Sequence, residues 1–158
     1  MKKIIVMTGL PSSGRTTYIN TIPGEKYIVE TKEMRKELMG NYDMYDLDDV
    51  ILDKSCDECI EKIKEYDTVI LDSSTLMNQR RLQIYRRVAK YADEVDLVLI
   101  DCDPAVCIQR DSEKVSYNQR GSIHILESYR KFEEPNEAVY AAYNSVIKLD
   151  GTKILEEK

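Results

Sequence analysis

The chain has 158 residues, 42% of them hydrophobic, and its 29 acidic against 23 basic side chains give a formal net charge of −6. That length supports one sizeable core and not a second, and the acidic balance disfavours indiscriminate binding to duplex nucleic acid while permitting a local basic groove. No apolar stretch approaches the roughly 20 residues of a membrane span, and the Met-Lys-Lys start runs straight into a short strand rather than a secretory leader, so a cytoplasmic protein with no membrane partner is expected.

Taken in chain order, the first predicted strand covers residues 3–7 and delivers the chain to Thr8-Gly9-Leu10-Pro11-Ser12-Ser13-Gly14-Arg15-Thr16-Thr17. Every element of the phosphate-loop pattern G-x-x-x-x-G-K-[ST] is there except the lysine, whose place Arg15 takes. A turn of this kind turns backbone N–H groups inward as an anion nest, and the helix predicted at about 14–22 adds the positive end of its dipole. Gly9, Ser12, Ser13, Gly14, Arg15, Thr16 and Thr17 are therefore the candidate nucleotide cradle, with the Thr16 hydroxyl as the ligand for Mg²⁺. Arginine keeps the charge of lysine but presents it as a planar fork on a longer stem, which alters where that charge falls on a triphosphate.

Further strands are predicted at 27–29, 68–71, 95–100 and 145–149, mostly continuous apolar runs as in a parallel sheet covered on both faces. Helical patterns lie between them at about 31–39, 47–65, 78–92, 104–112 and 122–133. This alternation predicts a doubly wound α/β fold, a five-stranded parallel sheet with helices on both faces in one domain over 1–158, with ligands bound at the carboxyl ends of the strands. The acidic, tyrosine-rich stretch 40–49 reads as a helix start or as a substrate-facing loop. Cys56 and Cys59 fall on the apolar stripe of the 47–65 helix, and with Cys102 and Cys107 they read as reduced core thiols rather than a zinc site. In the helix at 78–92, Arg80, Arg81, Arg86 and Arg87 fill much of the face left by the apolar residues.

Phosphoryl transfer asks for positioning, charge neutralisation and a group to receive the acceptor proton. Asp72, at the end of the third strand and followed by Ser73 and Ser74, points to the same rim as the loop, to hold Mg²⁺ through water, position substrate, or cap the following helix. The polar stretch 110–121 reads as a lid whose Arg110, Lys114 and Arg120 fold over the phosphates. Lys32, Arg35 and Lys36 sit on one helix near the rim and form a candidate grip for an acceptor phosphate. Eleven tyrosines against one phenylalanine and no tryptophan is lopsided, and Tyr117, Tyr129, Tyr140 and Tyr143 are candidates for a partner surface or for half-buried core.

The order of these motifs, from Met-Lys-Lys-Ile-Ile through the phosphate loop and Val69-Ile-Leu-Asp-Ser-Ser-Thr-Leu-Met-Asn-Gln-Arg-Arg-Leu to the basic lid, resembles the kinase domain of phage-type 5′-polynucleotide kinases. The resemblance runs over most of the chain and is weakest at about 40–66 and beyond 135. It implies a P-loop NTPase fold, ATP and Mg²⁺ as cofactors, and transfer of the γ-phosphate to a 5′-hydroxyl of a single-stranded DNA or RNA end. No space is left for the phosphatase domain that often follows, so the kinase half alone is concerned. Gly9, Gly14, Thr16 and Thr17 match its loop, Asp72 the aspartate after the third strand, Arg35 the arginine on the acceptor phosphate, and Lys114 or Arg120 the lid arginine. Its general base is an aspartate three residues before that acceptor arginine, where this chain has Lys32; Glu30 at the strand end is the better substitute, since Glu33 is turned about 100° away on a helix. Two other readings stand beside an active polynucleotide kinase: a nucleotide-binding protein that has lost transfer, and a kinase of a nucleoside or small metabolite.

Overall fold

A computed structural model describes residues 1–39 and 48–156. Five strands, β1 (Lys3–Thr8), β2 (Tyr27–Glu30), β3 (Thr68–Asp72), β4 (Glu94–Asp101) and β5 (Ser145–Asp150), form one sheet in the order β2-β3-β1-β4-β5. All four pairings are parallel. The chain leaves central β1 toward β2 and β3 on one side and later crosses to β4 and β5 on the other. The carboxyl end of β1 is therefore where connections diverge, the place at which such sheets leave a crevice for ligands.

Side chains alternate across the sheet with the period of a strand. Ile4, Val6, Val69, Leu71, Val95 and Leu97 face one layer, with Cys56 and Cys59 of α3 (Asp48–Lys62) and Ile63 just past its end, Ile84 and Val88 of α4 (Asn78–Val88), and Val139 of α7 (Glu137–Ala142). Ile5, Met7, Ile70, Val98 and Ile100 face the other, against Ile19 of α1 (Arg15–Ile19). Near-continuous apolar strands follow because both faces are covered. β5 departs from that expectation. It is an edge strand whose residues are half or fully exposed, Ile147 among them, while Val146 and Leu149 pack on the two layers.

The remaining helices are α2 (Thr31–Met39), α5 (Pro104–Ser112), α6 (Ser122–Lys131) and α8 (Gly151–Glu156). α7 and α8 are additional to the sequence expectation. Asn136 caps α7 by accepting from the Val139 N–H at 3.1 Å, a start signal that Pro135-Asn136-Glu137 carries in plain sight. α8 begins directly where β5 ends, leaving no loop to mark it. Of the acidic stretch at 40–49, residues 40–47 lie outside the described residues.

One expectation for the charged side chains is corrected. Arg81 is not part of a solvated face but wholly buried, donating to the Thr75 carbonyl at 3.0 Å, Asn78 Oδ1 at 2.8 Å, the Glu133 carbonyl at 2.7 Å and the Thr8 hydroxyl at 2.9 Å. Burial pulls its pKa down to about 10. Of the two readings of the tyrosines, Tyr143 takes the core one, buried with its hydroxyl donating to the Arg81 carbonyl at 2.6 Å, while Tyr117, Tyr129 and Tyr140 are exposed. The other arginines behave as read: Arg80 reaches Asp49, and Arg87 bridges Asp53 at 2.8 Å and Asp57 at 2.5 Å on the neighbouring helix. All four cysteines are free and buried, and the described residues hold no group of three or more His, Cys, Asp or Glu arranged for a metal.

Candidate nucleotide and phosphotransfer site

β1 carries the chain out of the core at Thr8, and the loop turns sharply there. Gly9 adopts φ 149°, and a Cβ at that position would stand 2.7 Å from the Ile100 carbonyl oxygen, so only glycine fits between the two central strands. Ser12 and Gly14 take positive φ of 63° and 111°, and α1 starts at the next residue. Left-handed turns immediately before a helix leave the first-turn N–H groups without intrahelical partners, which is the anion nest the glycine spacing implies.

Over this nest lies a cleft of about 410 Å³ lined by Arg15, Thr16, Thr17, Glu30, Lys32, Glu33, Arg35, Asp72, Arg110, Lys114 and Arg120, with parts of the loop and α2. Six cations against three carboxylates make it a basic patch in an acidic chain, a local field suited to a polyanion. At its floor the Thr16 hydroxyl donates to Asp72 Oδ2 at 3.1 Å, and a guanidinium nitrogen of Arg15 lies 3.8 Å from Asp72 Oδ1. That nitrogen, Asp72 Oδ1 and Ser13 Oγ are buried and have no hydrogen-bond partner. Native interiors pair such atoms almost without exception, so a ligand that binds there has three polar atoms waiting. Burial lowers the pKa of Arg15, opposed by Asp72, though the guanidinium stays charged.

Strand register explains the acidic side of the cleft. Glu30 and Asp72 are direct partners across β2 and β3, and the Thr31 hydroxyl donates to the Asp72 carbonyl at 3.3 Å. Burial raises the Glu30 carboxyl above its ordinary value, with Asp72 and then Glu33 adding to the effect and Lys32 opposing it. On the opposite wall Lys114 donates to Ser12 Oγ at 2.8 Å, and burial together with Lys32, Arg15 and Arg120 lowers its pKa. The cluster of like charges is held together by the fold, which is the arrangement a bound polyphosphate would relax.

The structure therefore gathers Gly14, Arg15, Thr16, Thr17, Glu30, Lys32, Arg35, Asp72, Lys114 and Arg120 into one cleft. Two assignments change. Asp72 does not cap the following helix, which starts at Asn78 with Met77 before it; Asp72 belongs to the loop floor instead. Arg110 lines the cleft from within α5 rather than from a lid: its guanidinium donates to the Ser13, Gly151 and Thr152 carbonyls at 3.2, 3.0 and 3.2 Å, bracing the loop from beside it. What remains between α5 and α6 is a short segment with a 3-10 turn at Ser116–Asn118, clamped by buried Asp111, whose two oxygens accept from the Arg120 and Gly121 N–H groups at 2.8 and 2.9 Å.

Two features escaped the sequence reading. Gly151 opens α8, and a Cβ there would come within 2.2 Å of the Ser13 carbonyl oxygen, so the turn after β5 interlocks with the phosphate loop. A second cavity of about 330 Å³ opens beside the cleft and shares Thr31, Arg35, Ser74 and Arg120 with it. Ile51, Leu52, Leu71, Leu76, Met77 and Ile84 give it apolar walls, and Arg80, His124 and Lys131 are among its polar residues. No motif marks it because its residues come from segments far apart in the chain.

Residues 4–135 match the family model AAA_33, described as an AAA domain, and no curated protein matches the chain. Among solved structures, the chain is similar to one in the Pnkp1/Rnl/Hen1 complex, at 18% identity and a TM-score of 0.60 over 73% of this chain and 44% of that one. A sugar kinase from Janibacter sp. is similar at 18% identity and a TM-score of 0.67, with 99% and 91% of the two chains covered. Kti12 of Chaetomium thermophilum, in complex with ADP-AlF3, is similar at 18% identity and a TM-score of 0.63, with 98% and 96% covered. The chain spans less than half the length of the first of these, and identities this low speak to fold alone. No helix among the described residues is long and apolar enough to cross a membrane. The fold is a five-stranded parallel sheet with helices on both faces, of the P-loop NTPase type, and the chain belongs to the AAA domain family whose model covers most of its length.

Proposed function

We propose that this protein is an ATP-dependent phosphotransferase, a single P-loop kinase-like domain acting on a hydroxyl, and that its acceptor is a polynucleotide 5′-end. The observation that carries the reading is the floor of the cleft, where the Arg15 guanidinium nitrogen and Asp72 Oδ1 are buried, 3.8 Å apart and without hydrogen-bond partners, beside the nest of a phosphate loop. Thr16 and Asp72 fit a hard cation that keeps most of its waters and takes its other ligands from phosphate oxygens, as Mg²⁺ does. Such an ion would supply charge neutralisation at the transferred group.

In this reading the loop amides and Arg15 hold the phosphates, and Lys114 and Arg120 offset charge from the other wall. Glu30 receives the acceptor proton, since it stands beside Asp72 and its raised pKa lies closer to neutrality than that of a free glutamate. Lys32 and Arg35 hold the acceptor phosphate, and the neighbouring apolar cavity, with Arg35 and Arg120 at the shared wall, has room for a base. Support for a polynucleotide acceptor comes from the motif order and from the similarity to a structure of the Pnkp1/Rnl/Hen1 RNA repair complex.

One observation favours a second reading, that of a nucleotide-binding protein without transfer. Arg15 stands 3.8 Å from Asp72 Oδ1, close enough for its charge to compete with a metal ion for that carboxylate. Incubation with γ-labelled ATP, Mg²⁺ and a panel of 5′-hydroxyl oligonucleotides, nucleosides and sugars separates the cases. Label on the oligonucleotides supports the proposal, and label confined to nucleosides or sugars reassigns the acceptor. No label from the native chain, with transfer gained in Arg15→Lys/Lys32→Asp, establishes the second reading.

A further inference from the structure

Behind the phosphate loop, away from the cleft, lies a pair of thiols that phosphotransfer does not use. Asp103 caps α5 by accepting from the Ala105 N–H at 2.8 Å, which makes Cys102 the residue before the cap and Cys107 the fourth residue of the helix. Those two positions pack against one another at a helix start. Both cysteines belong to the small cluster with Leu10 and Ile125 that backs the loop.

Cys102 Sγ is a node in the bracing of the loop. A nitrogen of Arg110 donates to it at 3.5 Å, and the same nitrogen reaches the Ser12 and Ser13 carbonyls at 3.4 and 3.2 Å. The Thr152 hydroxyl lies 3.7 Å from the sulfur. Although only 6% exposed, Cys102 forms part of the wall of two clefts of about 410 and 600 Å³, between the ends of β4 and β5 and Tyr129 of α6. Cys56 and Cys59, by contrast, are sealed on the inner face of α3.

We propose that Cys102 is a modification site, a thiol that takes a low-molecular-weight disulfide and is resolved by Cys107 into an internal disulfide, freeing Arg110 from the phosphate loop. Charge distribution agrees with this geometry. The Cys107 thiol donates to Cys102 and, with Thr152 and Arg110, lowers the Cys102 pKa to about 6 against the effects of burial and Asp150, while Cys107 itself is pushed up. Burial pushes Cys56 up to about 11 and Cys59 further.

The chemistry balances with the disulfide as oxidant. Cys102 thiolate attacks one sulfur of the reagent, forming a mixed disulfide and expelling a thiolate that takes a proton from water. The anion that raised Cys107 is then gone. Cys107 loses its proton and attacks Cys102 Sγ, expelling the second half of the reagent. Both cysteines have given up hydrogen, and two electrons have reduced one disulfide to two thiols. The Cys102 sulfur is no longer an anion for Arg110, so the hold on Ser12 and Ser13 weakens.

The test treats the reduced full chain with glutathione disulfide and maps each cysteine over time by peptide mass. The expected result is coupling at Cys102 at least about tenfold faster than at Cys56 or Cys59, ending in a Cys102–Cys107 disulfide. Cys107→Ser stops at the mixed disulfide on Cys102, and amide hydrogen exchange across residues 10–16 rises severalfold in the oxidised native chain. Equal rates at Cys102, Cys56 and Cys59, or unchanged exchange at the loop after oxidation, would overturn the proposal. Both readouts use the native chain without nucleotide, so they hold whether or not the variant folds and whether or not the protein transfers phosphate.

Discussion

Gly151→Ala puts the packing of the phosphate loop to a direct test. Gly151 has no positive φ that would demand glycine; what excludes a side chain is space. The added Cβ would lie 2.2 Å from the Ser13 carbonyl oxygen, 2.8 Å from Ile100 Cγ2 and 2.9 Å from Cys102 Cβ. The first is backbone of the loop and the second a buried strand residue, so the Ser13 peptide must retreat by roughly 1 Å for an ordinary contact. Overpacking of this kind costs about 1–3 kcal/mol, which for a chain of this size lowers Tm by about 3–10 °C. Because the displaced atoms belong to the nest, ADP affinity falls by about tenfold or more, each factor of ten being about 1.4 kcal/mol. Thermal unfolding followed by circular dichroism and calorimetric titration with ADP measure the two effects. Without the clash, alanine would stabilise by about 0.4–1 kcal/mol through the unfolded chain. A raised Tm with unchanged ADP affinity would therefore refute the interlock.

Arg81→Met strips the buried donor from the Thr75 and Glu133 carbonyls and from Thr8 and Asn78, and should cost about 3–5 kcal/mol in urea unfolding; a loss under about 1 kcal/mol would show those acceptors to be satisfied otherwise. With Glu30 as base, kcat/KM rises with pH through a value above 4.5, and Glu30→Gln abolishes that limb with a loss of about 10²–10⁴ in rate. The folded Glu30 carboxyl holds its proton more tightly than the unfolded one, so its contribution to stability is present below 4.5 and is lost as pH rises through the folded value; the glutamine variant should flatten that slope in acid unfolding curves. Asp111→Ala frees the Arg120 and Gly121 N–H groups and should raise proteolytic cleavage between α5 and α6 severalfold while raising KM; resistance equal to the native chain would count against the clamp.

The parts of this molecule governed by local pattern were readable from its residues. β1 and the phosphate loop combine a buried strand with glycines whose backbone angles and close contacts only glycine satisfies, and the apolar runs at 68–71 and 95–100 had no alternative to a covered sheet. Burial of Cys56 and Cys59 followed from helical spacing. Long-range geometry was hidden. Arg81 looks like any arginine among four until the carbonyls of Thr75 and Glu133 close around it, and Arg110, at the end of a helix the pattern does show, looks like a lid cation until the packing of that helix places it against Ser13 and Gly151. Gly151 gave no signal because its constraint comes from a loop over a hundred residues away. The second cavity was invisible for the same reason, being walled by α3, α4, α6 and the end of β3.

We propose that the Arg15-containing loop, Thr16 and Asp72 together transfer phosphate rather than merely hold it. Transfer of label from γ-labelled ATP to a 5′-hydroxyl oligonucleotide, compared between the native chain, Asp72→Asn and Thr16→Ala, measures it directly. The expected result is transfer by the native chain and a loss of about a hundredfold or more in each variant. ATP bound by the native chain with no label passed to the oligonucleotide or any other hydroxyl acceptor would contradict it.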